Sequence, residues 1–143
     1  MRRLTTPITL AAAAFVAAGG AIHLREWLKT YRHVPGSVPG SFVVKVGFPI
    51  NAAVSFVLAA LLVVLAVRAV RLAPLVVLGA AVFEAASLSS LILSRVGNVL
   101  GWKETAWTRG AEQTRAVEIG ALLALGLAAA LYEVARRQRW SAA

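Results

Sequence analysis

The chain has 143 residues, 59% of them hydrophobic, and a formal charge of +9 from 15 Lys and Arg against 6 Asp and Glu. Its mean hydropathy of +0.77 is too apolar for an ordinary soluble domain, and no basic stripe interleaves with aromatics, which argues against a nucleic-acid partner. Cysteine is absent, so disulfides, thiol relays, thiolate zinc sites and cysteine-held iron–sulfur clusters are excluded.

The apolar residues fall into four blocks. Each is long enough for a helix to cross a bilayer core about 30 Å thick, which takes about 20 residues. The first block is 8–24, ITLAAAAFVAAGGAIHL. Arg2, Arg3, this run and Gly19-Gly20-Ala21 also have the layout of a secretory signal peptide, and we expect the segment to be retained as a helix. The second block is 42–67, uncharged from Phe48 onward. The third is 72–93, with Glu84 as its single charge, and the fourth is 116–134. Pro49 and Pro74 are expected in the first turns of spans two and three, where a missing N–H costs little. The predicted fold is all-α, a single integral membrane domain built as a four-transmembrane-helix bundle. Small residues recur at 11–14, 17–21, 52–53, 79–81, 85–86 and 128–130, so the helices can approach closely.

Basic residues set orientation. Segments 1–7, 68–73 and 136–143 carry Arg2, Arg3, Arg68, Arg71, Arg136, Arg137 and Arg139, 7 in 21 positions, against 8 in 43 for segments 25–45 and 94–115. Both termini are expected in the cytoplasm of a bacterial plasma membrane, with the two longer connections outside.

The connection between spans one and two, REWLKTYRHVPGSVPGS, contains a tandem VPGS repeat. Pro followed by Gly suits type II turns, so two stiff turns are expected, as a plain connector or a cover for the outer mouth. Trp27, Tyr31, Trp102, Trp107 and Trp140 are read as an interfacial aromatic belt. Residues 103–115 are expected along the membrane surface.

The intramembrane polar groups are lopsided. His23 ends span one, and Glu118 opens span four. Asn51 and Glu84 each lie nine residues from the outer boundary, about 13–14 Å deep at 1.5 Å per residue. Ser87 lies one turn beyond Glu84, on the same face. The cytoplasmic parts of all four spans hold no ionisable residue. A charge in lipid is costly, so Glu84 should face the bundle interior or a wet cavity. His23, Asn51, Glu84, Ser87 and Glu118 are therefore the candidate ligand-binding residues, around a pocket open to the outside above a dry, small-residue floor. A purely structural role would pair Glu84 with Arg95 or Arg115, or bond it to Asn51; for Glu118, a surface pair with Arg115 is expected. Two histidines on one connection, His23 and His33, are too few for haem or a di-iron bundle, so no metal is predicted.

The segments GGAIHL, GFPINAAVSFVLAALL and RAVEIGALLALGL resemble small four-helix membrane proteins of actinobacteria, and the outline is similar to the DoxX-like family. That resemblance implies a bundle with a polar group ending helix one, here His23, and some members of that family are linked to quinone or sulfur oxidation. No second DoxX motif is present, so the activity is not transferred.

Three functions compete. The first expectation is a non-enzymatic accessory subunit that packs against other membrane subunits or a second copy, for which small-residue faces and the absence of a catalytic constellation argue. The alternative is an outward-facing protein or membrane oxidoreductase that binds a quinone or lipid near Glu84. A channel or transporter is disfavoured by the dry cytoplasmic half and the lack of inverted repeats. No cofactor is predicted beyond a bound quinone or lipid.

Overall fold

A computed structural model describes residues 2–68 and 72–140, without the side chains at 2, 3, 139 and 140; Arg71 and the side chains of Arg2, Arg3, Arg139 and Trp140, used above, lie outside it. Four helices span the described residues: α1 (Arg2–Lys29), α2 (Ser41–Arg68), α3 (Ala73–Val96) and α4 (Arg109–Trp140). One 3-10 turn, Tyr31–His33, follows α1. Each helix is long and apolar enough to cross a membrane. All four run past the apolar blocks read from the sequence, because the polar ends continue the helical hydrogen bonding beyond the hydrocarbon.

The outward faces stay apolar. Leu61, Val63 and Val64 on α2, Leu75, Leu78 and Val82 on α3, and Leu123 and Leu127 on α4 are all exposed. Such a surface suits lipid and would aggregate in water. The protein is a multi-pass membrane protein with an all-α four-helix bundle.

Within the bundle α1 is central. It packs closely on α2 and on α4, α4 packs on α3, and α2 and α3 touch little. Small residues set these distances. A Cβ on Gly20 would lie 2.8 Å from Ser55 Cβ and 3.2 Å from the Ala52 carbonyl oxygen, so only glycine permits this α1–α2 approach. Gly120 likewise receives the Phe15 ring, whose nearest atom would be 2.7 Å from an added Cβ. Toward the chain termini the interior is an apolar cluster of Ala12, Val16, Leu62, Val77, Ala121 and Leu125 with further alanines. This is the floor beneath the polar groups. Its polar exception is Thr9, which lies 3.4 Å from the Tyr132 hydroxyl.

Pro74 stands at the start of α3, as expected. Pro49 does not open its helix: α2 begins at Ser41, so Pro49 is internal. A proline at 49 has no N–H to offer the carbonyl of residue 45. Trp27 of α1 fills the vacancy, donating its indole N–H to the Lys45 carbonyl at 2.9 Å. Trp27 thus repairs α2.

The two longer connections meet at one end of the bundle, here called the loop end. The second VPGS repeat forms the expected turn, closed by Ser41 N–H donating to the Val38 carbonyl at 3.0 Å, with Gly40 at φ +70°. The first repeat turns one residue later, between Pro35 and Val38 at 3.1 Å. The difference follows from contact. A Cβ on Gly40 would fall 2.1 Å from the Trp102 amide nitrogen, so Gly40 is pressed against the 97–108 connection, whereas Gly36 meets open space. That connection folds back: Val99 and Trp102 exchange backbone hydrogen bonds, and the Glu104 amide donates to the Ser94 carbonyl at 2.9 Å. It therefore folds over the loop end of the bundle, and residues 109–115 begin α4.

Candidate functional site

Four of the five sequence candidates meet in one hydrogen-bonded chain that links all four helices. Ser55 of α2 donates to Asn51 Oδ1 at 3.3 Å. Asn51 donates one amide hydrogen to Ser87 Oγ of α3 at 2.8 Å. The Ser87 hydroxyl donates to Glu118 Oε1 of α4. His23 of α1 places Nε2 3.3 Å from the same carboxylate oxygen and 3.4 Å from Ser87 Oγ. A hydrogen on Nε2 makes His23 a donor to Glu118.

Glu118 is 1% exposed, so the surface pair with Arg115 is not formed. The reason is helical phase. Its side chain turns inward toward His23 and Ser87, while Arg115 turns out and lies over the Trp107 ring at 4.8 Å. Glu84 is also buried, at 2% exposure, within electrostatic range of Glu118. It makes no side-chain hydrogen bond or ion pair among the described residues. None of the structural pairings weighed for it occurs: Arg95 approaches Glu104 at 3.9 Å, Arg115 stacks on Trp107, and Asn51 is bonded to Ser87. Glu84 thus stands beside the chain rather than in it.

A cavity of about 310 Å³ opens from this chain toward the loop end. His23, Asn51 and Ser87 close its inner end; Glu84 and Glu118 do not line it. Phe48, Val44, Phe83 and Leu91 supply apolar wall. His23 meets the edge of Phe48 at 5.0 Å, and Phe48 meets Tyr31 at 4.3 Å. The upper end is built by residues to which no binding role was assigned above. Tyr31, buried beside Phe48 and Trp102, donates its hydroxyl to Glu104 Oε2 at 2.7 Å. Arg95 adds a guanidinium whose side chain is 5% exposed; it donates to Ser94 Oγ at 2.7 Å, and its Nε has no partner. Tyr31 and Trp102 accordingly line the cavity. The spacing of Tyr31 from Glu104 across two connections gave no local signal from which to find them.

The chemistry this arrangement supports is recognition of a polar head. Asn51 uses one of its two amide hydrogens on Ser87 and retains another for a ligand. Ser87, His23 and Glu118 have the residue types of an acyl-transfer triad without its order. There the histidine sits between hydroxyl and carboxylate, using a different ring nitrogen for each. Here both groups crowd Nε2, Ser87 spends its hydrogen on Glu118, and His23 Nδ1 has no partner. The geometry holds the serine as a relay in a hydrogen-bond chain, not as a nucleophile.

Comparison with known proteins gives no match: no family model, no curated sequence and no solved structure aligns significantly with the chain.

Proposed function

We propose that the protein binds a lipid-soluble small molecule with a polar ring head, of quinone or phenol type, in the cavity at its loop end. The observation that carries this reading is the cavity's composition: apolar and aromatic walls that end on Asn51, Ser87 and His23, with a spare amide donor at the end. Ligand sites are mostly apolar clefts with a few convergent polar groups, and about 310 Å³ stands at the small end of their usual range. The charge distribution supports a loop end that faces away from the cytoplasm.

An accessory-subunit role accounts for less. A partner's helix would use an outer face, yet the polar residues converge inward on a cavity. The test is titration of the protein in lipid nanodiscs with a decyl-tailed benzoquinone, read by quenching of Trp102 fluorescence against a Trp102→Phe control. Asn51→Leu is expected to weaken binding about tenfold, the equivalent of about 1.4 kcal/mol and near the upper net worth of one hydrogen bond. Equal quenching of both proteins, or none by the wild type, refutes the site.

A further inference from the structure

The walls of this cavity are not equally closed. At the loop end the two connections cross it and are tied to each other. The Tyr31 hydroxyl is tied to Glu104, Glu104 is tied by its backbone to Ser94, and the Gly40 and Gly101 backbones are in van der Waals contact across the two connections. On the α2–α3 side there is no such closure. These helices touch little, and among the described residues their side chains are linked by the Asn51–Ser87 bond at the cavity's inner end. Above that bond, Gly47 and Ile50 of α2 and Ala86 and Ser90 of α3 both line the cavity and are exposed on the outer surface of the bundle. A Cβ on Gly47 would meet nothing within 4 Å.

The depth of this gap decides what lies outside it. Ile50 is nine residues into α2 and Ala86 is ten residues from the end of α3, about 14–15 Å below the helix ends at 1.5 Å per residue. No charged residue occurs on α2 from Val46 to Val67. Gly47 and Ser90 lie six residues, about 9 Å, below the same ends, so the gap runs from near the helix ends down into the uncharged part of the span.

We propose that the ligand reaches the cavity sideways from the bilayer, between α2 and α3, and that it is a tailed, membrane-dissolved molecule whose head occupies the cavity while its tail remains in the gap. The proposal rests on the binding site proposed above and adds its route and its ligand class. A cavity of about 310 Å³ is too small to swallow a long tail as well as a ring, and the open side supplies the place for it. A water-soluble ligand would instead have to part the Tyr31–Glu104 tie.

Stopped-flow quenching in nanodiscs tests the route, with Gly47→Phe and Ala86→Phe on the two lips of the gap and Gly126→Phe as a control. Gly126 is exposed on α4, away from the cavity, and its added Cβ also meets open space. Association of the decyl-tailed benzoquinone is expected to slow at least tenfold in either lip variant and to stay at the wild-type rate in Gly126→Phe. At equal membrane-phase concentration, the same ring without its tail should bind at least tenfold more weakly. Wild-type rates in both lip variants, with faster association in Tyr31→Phe, overturn the lateral route and place access at the loop end. A wild-type protein that shows no quenching removes the site and the route together, so the two failures are distinct.

Discussion

Asn51 and Ser87 meet at 2.8 Å across the two neighbouring helices that pack most loosely, and their bond marks the line between the dry floor of the bundle and its cavity. On the terminal side lies a dry cluster of alanines, valines and leucines. On the other lies a cavity with aromatic walls.

Glu118 anchors that line to α1 and α4. Its removal leaves the half-buried Ser87 hydroxyl and the buried His23 ring without their acceptor. An orphaned buried group costs about 1–3 kcal/mol, so Glu118→Leu is expected to destabilise the protein by at least about 2 kcal/mol. Arg115→Leu removes only an exposed cation over Trp107 and should cost under about 0.5 kcal/mol. Unfolding in mixed micelles by SDS titration checks both values; similar costs would restore the surface pair between these two residues.

The repair of α2 by Trp27 is testable as a coupling. Trp27→Phe strips the Lys45 carbonyl of its donor and is expected to cost about 0.6–1.7 kcal/mol, the span measured for interhelical hydrogen bonds in membranes. In a Pro49→Ala background the helix supplies its own N–H to that carbonyl, and most of the cost should vanish. A double-mutant cycle by the same titration reads the difference.

How far the sequence foretold these features depended on whether the signal was periodic or spatial. Hydropathy over twenty-residue windows was enough for the four spans, because the bilayer demands a long apolar run whatever the packing. The lopsided placement of His23, Asn51, Glu84, Ser87 and Glu118 followed from counting residues inward from each span end. Helical phase did not follow so readily. Arg115 and Glu118 are three apart and could have paired, but an inward carboxylate had His23 and Ser87 to meet, and only the packed bundle shows that. Tyr31, Glu104, Arg95 and Trp102 come together through two irregular connections, for which no repeat or spacing exists. The span start read at 42 agrees with α2, which begins at Ser41; it was the first-turn placing of Pro49 that failed, because residue 49 lies two turns into a helix with that start.

Glycines in equivalent sequence settings should behave differently. Gly20→Leu drives a side chain into Ser55 and the Ala52 carbonyl, an overpacking expected to cost about 1–3 kcal/mol or more. Gly79→Leu, where an added Cβ meets open space, should be within about 0.5 kcal/mol of wild type. SDS-titration midpoints order the two variants.

The VPGS repeat gives a second such pair. Gly40 holds φ +70° against the Trp102 amide, so Gly40→Ala meets both a left-handed backbone cost of about 1–2 kcal/mol and a steric clash. Gly36→Ala meets neither. Limited proteolysis of the loop end should show Gly40→Ala cleaved much faster than wild type, and Gly36→Ala unchanged. Equal cleavage of the two would mean that the connections are not tied to each other across the cavity.

The occupant of the cavity decides the rest, and photolabelling reads it directly. Protein in nanodiscs is irradiated with a decyl-tailed azidobenzoquinone, and the labelled peptides are mapped by mass spectrometry. Adducts concentrated at 44–51 of α2 and 83–91 of α3, and displaced by unlabelled decyl-tailed benzoquinone, are the expected result. Adducts spread over the lipid-facing surfaces of α3 and α4, undiminished by that competitor, would contradict a binding cavity.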